Sequence, residues 1–139
     1  MVSENIHASC VAIEGRAVLI VGDSGAGKSD LALRLIDRGA ALVSDDQVLL
    51  NVEDERLIAS APDTIAGKIE VRGIGIMPIL AQSPMPVALL IELTTPERMP
   101  EPQSRRLCGI DVPVAALDPF EASAPIKAEL ALRQWGLAL

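Results

Sequence analysis

Hydrophobic residues along this chain fall into short continuous runs separated by polar turns. The longest runs lie at residues 17–21, 40–44 and 85–93 and are rich in branched aliphatic side chains. Runs of this kind are typical of strands that are buried on both faces of a parallel sheet. Shorter strands are predicted at residues 8–13, 47–52, 57–61 and 107–117, the last with Pro113, which indicates an edge or a bulge. The pattern predicts a core made mainly of β-sheet.

Two segments are predicted to form helices, the first from its amphipathic periodicity. Between residues 30 and 38 apolar side chains recur every fourth position, charged side chains occupy another face, and Gly39 supplies the stop. A final helix is predicted to start near Pro125 and to run through Gln134, because proline suits the first turn of a helix. The Pro-Asp-Thr sequence at residues 62–64 indicates a further helix start.

Composition fits one compact domain with an aliphatic core. The chain has 139 residues, of which 50% are hydrophobic, but it contains one Phe, one Trp and no Tyr. A chain of this length can bury enough apolar surface to fold as one unit. The two aromatic side chains, Phe120 and Trp135, are too few to form a base-stacking platform for nucleic acid.

Charge and cysteine usage narrow the class of protein further. The net charge is −7 and no block of Lys and Arg occurs, which argues against a nucleic-acid partner. Cys10 and Cys108 lie far apart without metal-ligand spacing, so reduced thiols are expected. The first residues do not resemble a signal peptide and no apolar run is long enough to span a membrane. We therefore expect a cytoplasmic protein without a membrane partner.

A glycine-rich motif follows the first long apolar run and precedes the first helix. It matches the phosphate-binding loop pattern G-x-x-x-x-G-K-[ST] at every fixed position, with the residues Gly22, Asp23, Ser24, Gly25, Ala26, Gly27, Lys28 and Ser29. In such a loop the glycines permit positive φ and close approach to phosphate, the lysine reaches the β- and γ-phosphates, and the serine hydroxyl ligates Mg²⁺. A chance match is the alternative, but the flanking strand and helix are the context that the motif requires.

A pair of carboxylates, Asp45 and Asp46, follows the apolar run at 40–44. A carboxylate at the end of a buried strand beside a phosphate loop can hold Mg²⁺ or position a nucleophile. Because adjacent strand residues point to opposite sides, the two aspartates are predicted to do different work. The alternative is a solvated acidic turn. His7, at the mouth of the hairpin formed by the first two predicted strands, is either close to the loop or an ordinary surface residue.

Charged and apolar residues alternate between residues 68 and 76. In an extended chain the charged side chains, Glu70 among them, would share one face while Ile69 and Val71 anchor the other. The two glycines of the segment indicate close approach of the backbone to another group. Taken alone, such alternation is also typical of a strand with one solvated face.

Taken together, these residues give a chain that resembles the catalytic domain of HPr kinase/phosphorylase, a bifunctional enzyme that phosphorylates a serine of the phosphocarrier protein HPr. The resemblance covers most of the chain and depends on His7, the loop at 22–29, the pair Asp45-Asp46 and the segment at 70–76, Glu-Val-Arg-Gly-Ile-Gly-Ile. It implies an α/β P-loop kinase domain with a mainly β sheet core, a helix after the phosphate loop and a short C-terminal helix.

The resemblance also implies roles for individual residues. His7, Lys28 and Asp45 fall on active-site positions, with Asp45 as the proton acceptor in phosphorylation and the proton donor in the reverse reaction. Ser29 and Glu70 fall on the positions of the Mg²⁺ ligands.

Arg98 aligns with a further active-site arginine of the family, with Arg105 and Arg106 as rivals.

The chain also departs from the family in two places. The N-terminal regulatory domain of the family is absent, so residues 1–139 are expected to form a single catalytic domain. Where the family has a Gly-Arg-Asn segment linked to dephosphorylation, this chain has the sequence Leu-Asp-Pro-Phe-Glu at 117–121. The resemblance implies a homohexamer, which the shortened C-terminal region makes less secure.

The function expected from the resemblance is an ATP- and Mg²⁺-dependent protein serine kinase. Its partner would be an HPr-like phosphocarrier protein of the phosphotransferase system, and a reverse phosphorylase activity is left open. Two alternatives share the phosphate loop: a P-loop small-molecule kinase, and a non-catalytic ATP-binding regulatory module. A protein acceptor distinguishes the first expectation from both.

Overall fold

The computed structural model describes residues 3–139. Within that range the chain forms eleven strands and two helices, and nine of the strands join one large sheet. In chain order the elements are β1 (Ser3–His7), β2 (Ser9–Ile13), β3 (Arg16–Val21), α1 (Lys28–Asp37), β4 (Ala41–Ser44), β5 (Gln47–Glu53), β6 (Arg56–Ser60), β7 (Lys68–Val71), β8 (Gly75–Pro78), β9 (Met85–Leu93), β10 (Gln103–Leu107), β11 (Ile110–Leu117) and α2 (Ala124–Trp135).

The strands β3 and β9 lie side by side and parallel in the large sheet. Alternate residues of β3 point to opposite faces, so Val18 and Ile20 pack in one hydrophobic cluster and Ala17 and Leu19 pack in another. All four side chains are fully buried. The prediction of a strand buried on both faces is therefore confirmed. The sheet is mixed rather than parallel, because β2 and β3 pair in antiparallel fashion.

Different elements cover the two faces of these central strands. The two helices cover one face, where the buried side chains include Leu31, Leu35, Ala128 and Leu132. The strands β5 and β6 supply the second cluster, with Val48, Leu50, Leu57 and Ala59. Burial of an aliphatic side chain of this size stabilises the fold by about 1.5–3 kcal/mol, so both clusters hold the central strands in place.

The sheet divides at β9. The first residues of β9 pair with β6, while its last four residues pair in parallel with β11, which carries β10 on its outer side. Pro113 lies opposite Ser104 of β10, one residue before the pairing between β11 and β9 begins at Val114. At that point β11 has a single neighbour, so the predicted edge position of the proline is confirmed.

Both predicted helices are confirmed. The helix α1 buries Leu31 and Leu35 and stops before Gly39, which has a φ of +111°. In α2, Pro125 lies in the first turn, where its missing N–H leaves no intrahelical bond unmade.

The prediction of a helix that begins at residues 62–64 is wrong. Residues 63–67 form turns, with the Ile65 N–H donating to the Pro62 carbonyl, and Gly67 adopts a φ of +71°. The Lys68 N–H likewise donates to the Ile65 carbonyl, so the segment is a succession of turns, and the positive φ of Gly67 ends it before a helix can extend. The strand β1 went unpredicted, because its polar sequence joins the sheet through backbone pairing with β5.

Both cysteines are free thiols. Complete burial raises the pKa of Cys10, and partial burial together with the charge of Glu4 raises the pKa of Cys108. None of the helices described in residues 3–139 is long and apolar enough to cross a bilayer.

Candidate active site

A cavity of about 700 Å³ opens over the phosphate loop. It is lined by loop residues, by the exposed face of α1 and by side chains from four distant parts of the chain, among them His7, Asp46, Glu70 and Phe120. A cavity of this size is within the range that accommodates a small-molecule ligand or cofactor.

The loop that connects β3 to α1 has the geometry of an anion site. Gly25 and Gly27 have φ values of +81° and +102°, a region that residues with a side chain rarely adopt. The Leu31 N–H already donates to the Gly27 carbonyl, whereas the N–H groups of the first helical turn have no partner within the helix. The loop can therefore surround a phosphate with backbone donors.

Gly22 differs from the other two glycines of the motif. Positive φ was predicted for it, but among the described residues Gly22 is not one with positive φ. A Cβ atom built on Gly22 would lie 3.1 Å from the Cβ atoms of Ala26 and Leu93. A side chain at Gly22 would therefore have to displace Ala26 or Leu93 by a few tenths of an ångström, because the loop packs closely against the end of β9.

Lys28 lies at the first position of α1 and lines the cavity. Its Nζ donates to the carbonyl oxygens of Gly22 and Asp23 at 3.0 and 3.1 Å. The ammonium group is thus held across the loop, where it can exchange these carbonyls for phosphate oxygens.

Asp45 is buried beneath the loop, with 5% of its surface exposed. Its Oδ1 accepts hydrogen bonds from the Ser29 hydroxyl at 2.6 Å and the Ser9 hydroxyl at 2.9 Å. Its Oδ2 accepts from the backbone N–H of Glu70 at 3.1 Å. This one carboxylate therefore joins the start of α1 to β2 and β7, and it fixes the direction of the Ser29 hydroxyl.

Asp46 points the other way, into the cavity. Its side chain is 67% exposed, and its Oδ1 lies 3.5 Å from the Nδ1 of His7, whose side chain is 75% exposed. The predicted opposite orientation of the two aspartates is confirmed. The structure also brings His7 to the cavity, because β1 pairs with β5 and ends opposite Gln47.

The alternation at residues 68–71 is confirmed as the strand β7. Ile69 is buried on the inner side, while Glu70 lines the cavity beside Arg72, which follows the strand. The interpretation of the glycines is wrong: Gly73 and Gly75 have φ values of +88° and +122°, and a Cβ on either would meet no atom within 4 Å. They permit the turn between β7 and β8 rather than a close backbone approach.

The arginine predicted for the site lies elsewhere. Arg98 is exposed in the loop between β9 and β10 and does not line the cavity. Its rivals are engaged in ion pairs, Arg105 with Glu92 and Arg106 with Asp111. The cavity is instead lined by Arg34 and Arg72. Arg72 shares the charged face of Glu70 in the sequence pattern, which is the signal that could have identified it.

Two residues fit a Mg²⁺ ion that is shared with a nucleotide. Across residues 3–139 no three His, Cys, Asp or Glu side chains cluster as a metal site. Mg²⁺ is often held by one or two protein ligands, with waters and phosphate oxygens completing the octahedron. The Ser29 hydroxyl donates its hydrogen to Asp45, which leaves its oxygen lone pairs free, and Glu70 provides a carboxylate on the same cavity.

A group of cavity residues escaped the sequence analysis. Leu33 and Arg34 of α1, and Pro119 and Phe120 from the segment before α2, line the cavity on the side of the helix. The helical pattern marked the exposed face of α1 but gave no sign that a distant segment would lie over it.

Comparison with known proteins places the chain in a family. The family model described as the HPr Serine kinase C-terminal domain matches residues 1–98. The chain is 45% identical over 78 residues to the HPr kinase/phosphorylase of Peptoclostridium acidaminophilum, covering 55% of this chain and 25% of that protein. It is 46% identical over 76 residues to the HPr kinase/phosphorylase of Bacillus cytotoxicus, covering 54% of this chain and 25% of that protein. The matched region thus spans about a quarter of these curated relatives.

The similarity extends beyond residue 98 in three dimensions. The solved structure of the Hpr(Ser) kinase/phosphatase from Coxiella burnetii superposes with a TM-score of 0.83 at 33% sequence identity, covering 94% of this chain and 95% of that chain. The predicted fold, a sheet-dominated α/β domain with a helix after the phosphate loop and a short C-terminal helix, is confirmed. The chain belongs to the family of the HPr Serine kinase C-terminal domain.

Proposed function

We propose that this domain is an ATP- and Mg²⁺-dependent protein serine kinase that phosphorylates an HPr-like phosphocarrier protein. The observation that carries the proposal is the convergence of His7, Asp46 and Glu70 on the cavity above the phosphate loop. These residues come from three separate strands or strand ends, so the fold brings an imidazole and two carboxylates, groups that can transfer protons or bind Mg²⁺, beside the phosphate loop. The relatives named above as HPr kinases support the choice of acceptor.

In this proposal the loop and Lys28 bind the phosphates of ATP. The loop amides and the lysine ammonium would stabilise negative charge on the β- and γ-phosphates as the bond between them breaks. Ser29 and Glu70 are the residues that would hold Mg²⁺, which neutralises phosphate charge when it is bound.

The two aspartates divide the remaining work. A general base must reach the hydroxyl whose proton it takes, and Asp46 presents an exposed carboxylate to the cavity. Asp45 is buried and both of its oxygens already accept hydrogen bonds. We therefore assign to Asp46 the proton-acceptor role that resemblance assigned to Asp45, and Asp45 becomes a positioning residue for Ser29 and Glu70.

In the forward direction a phosphoryl group passes from ATP to the acceptor serine. The acceptor serine loses its hydroxyl proton to Asp46, its oxygen forms a bond to the γ-phosphorus, and the bond to the β-phosphate oxygen breaks to leave ADP. His7, 3.5 Å from Asp46, would hold the carboxylate towards the acceptor. In phosphorolysis of the phosphoserine, the bond between the serine oxygen and phosphorus breaks and the protonated aspartate returns its proton to that oxygen, while an oxygen of inorganic phosphate bonds to the phosphoryl group to form pyrophosphate.

Transfer of labelled phosphate from ATP to an HPr-like protein tests the proposal. We expect Mg²⁺-dependent labelling of the carrier, and no labelling when its acceptor serine is replaced by alanine. ATP binding without transfer to any carrier would instead support a regulatory module. Turnover of a small hydroxyl compound in the absence of protein would support a small-molecule kinase.

The proposed partnership includes assembly of the domain with itself. The homohexamer remains a prediction from the family resemblance. Light scattering of the purified chain would measure the number of subunits, and a mass of one subunit at assay concentrations would contradict it.

A further inference from the structure

Phe120 is a large apolar side chain exposed in the cavity. It is 82% exposed and lines the cavity together with Pro119. The chain has a single other aromatic residue of the Phe, Tyr and Trp class, Trp135, which packs against the hydrophobic core. The one Phe of the chain is thus placed where it faces a ligand site instead of contributing to the core.

The backbone around Phe120 is held in a defined position. The Phe120 N–H donates to the Asp118 carboxylate at 2.9 Å, which closes a tight turn. Arg34 donates from its guanidinium to the carbonyl oxygens of Pro119 and Glu121, on either side of Phe120. The Arg34 Nε also lies 3.1 Å from the Asp30 carboxylate, an ion pair without hydrogen-bond geometry. Arg34 belongs to α1, so the turn is attached to the helix that begins at the phosphate loop.

The same turn touches the phosphate loop directly. A Cβ atom built on Gly27 would lie 3.6 Å from the Cβ of Pro119. Pro119, the residue before Phe120, therefore lies against the loop that would bind phosphate. A ligand with a phosphate group at one end and a flat apolar ring at the other could contact both the loop and Phe120.

The lining of the cavity separates into two groups. His7, Asp46 and Glu70 form a polar end, linked to the loop through the hydrogen bond between Ser29 and Asp45. The apolar end consists of Leu33, Pro119 and Phe120, linked to the loop through Gly27 and through Arg34. The polar end has the groups required for phosphoryl transfer, so the apolar end is left for the part of the donor that does not react.

We propose that Phe120 stacks on the base of the bound nucleotide and that the apolar end is its base subsite. The inference rests on the proposed function, because it takes a nucleoside triphosphate as the phosphoryl donor. Aromatic side chains bind bases through their π faces, which every base offers, so purine nucleotides in general should benefit from the contact. The scarcity of aromatic residues excludes a nucleic-acid platform, but a single nucleotide needs a single ring.

The test compares two ligands that share a triphosphate and differ in the base. The affinities of ATP and of inorganic tripolyphosphate are measured by calorimetry in the presence of Mg²⁺, for the unmodified protein and for Phe120→Ala. We expect Phe120→Ala to weaken ATP binding roughly 5- to 100-fold and to change tripolyphosphate binding by less than about twofold. Met99→Ala is the matched control, because Met99 is 84% exposed but lies away from the cavity.

A conservative variant adds a spectroscopic readout. Phe120→Trp should retain ATP affinity, and its added indole should be quenched by ATP but not by tripolyphosphate. The unmodified protein, in which Trp135 is the one tryptophan, gives the reference signal. An equal response of Phe120→Trp to both ligands would overturn the base subsite.

Failure of this inference differs from failure of the proposed function. If the unmodified protein binds neither ligand, the proposed function fails. If it binds ATP and Phe120→Ala binds ATP equally well, only the base subsite fails. Unchanged ATP affinity with a raised KM for a carrier protein would assign Phe120 to protein docking and also overturn the inference.

Discussion

The two ends of the cavity are built in different ways. At the polar end, the buried Asp45 accepts three hydrogen bonds and sets the positions of Ser29 and the Glu70 backbone. At the apolar end, the backbone is fixed by Arg34 and Asp118 but the Phe120 side chain is exposed. The residues proposed to hold Mg²⁺ must be fixed in one geometry, whereas a stacking surface needs only to present a face.

The two ends also differ in their relation to the family. The polar end lies entirely in the region that the family model matches, residues 1–98, whereas Pro119 and Phe120 lie beyond it. The structural superposition reaches 94% of the chain, so the fold continues past that limit. We therefore expect that substitutions at one end can change the rate of phosphoryl transfer without changing the affinity for the nucleotide, and that substitutions at the other end can do the reverse.

The largest effect is expected at Asp46. Asp46→Asn removes the proposed base, so the rate of phosphoryl transfer should fall by about 10²–10⁴ with no loss of thermal stability, because the side chain is exposed. Asp111→Asn, another exposed carboxylate in an ion pair, is the control. Rapid-quench transfer assays measure the rate.

Asp45→Asn also tests which of the two aspartates accepts the proton. It should lower stability by about 1–3 kcal/mol, because it removes a charged acceptor from a buried hydrogen-bond network, and it should raise the Mg²⁺ concentration that gives half-maximal activity. Denaturant unfolding and Mg²⁺ titrations measure the two effects. If Asp46→Asn transferred phosphate at a normal rate while Asp45→Asn was inactive with normal stability, Asp45 would be the base.

Lys28→Ala should slow transfer by about 10²–10³ and weaken the binding of both ATP and tripolyphosphate, because the ammonium contacts the phosphates and not the adenine ring. Lys68→Ala, at an exposed position outside the cavity, is the matched control. Loss of affinity for ATP alone would contradict the assignment of Lys28 to the phosphates.

A smaller effect is expected for Glu70→Gln. The amide retains the shape of the side chain but loses the charge that Mg²⁺ prefers, so the Mg²⁺ concentration for half-maximal activity should rise about tenfold. Nucleotide binding measured without metal should be unchanged. Glu53→Gln, at an exposed glutamate away from the cavity, is the control. An unchanged Mg²⁺ titration for Glu70→Gln would show that Glu70 is an ordinary solvated residue and not a Mg²⁺ ligand.

The smallest effect is expected for Arg34→Met, which loosens the turn that carries Phe120. Without the two hydrogen bonds to Pro119 and Glu121, ATP affinity should fall by a few-fold. Arg38→Met, at the C-cap of the same helix and paired with Glu129, should leave ATP affinity unchanged. A parallel loss of tripolyphosphate affinity would show that Arg34 binds phosphate directly.

Sequence reasoning recovered the polar end better than the apolar end, for a physical reason. The phosphate loop and the strand before it have local signatures, because glycines with positive φ and doubly buried strands restrict the residues that can occupy them. That Asp45 and Asp46 point in opposite directions could be predicted from their adjacency, although they lie in the bend between β4 and β5, where Asp46 has a φ of +69°, and not within a strand. Which of the two faces the cavity could not be predicted, because that depends on Ser9 and Glu70, which approach from distant strands.

Two further residues could not be placed from local sequence. The prediction for Arg98 rests on the family resemblance, and local sequence does not determine where an exposed loop side chain points. Phe120 gave no periodic signal, because the segment before α2 is a turn held by a helix 85 residues earlier in the chain, through Arg34 and Pro119. Contacts between residues so far apart are a property of the fold.

The most direct test of the account is single-turnover transfer with ATP concentration varied, for Asp46→Asn and Phe120→Ala side by side. Each titration yields a Kd for ATP and a rate at saturation. We expect Asp46→Asn to lower the rate at saturation by about 10²–10⁴ with little change in the Kd for ATP. We expect Phe120→Ala to raise the Kd for ATP with little change in the rate at saturation. If both variants changed the same parameter, the division of the cavity into a reacting end and a binding end would be contradicted.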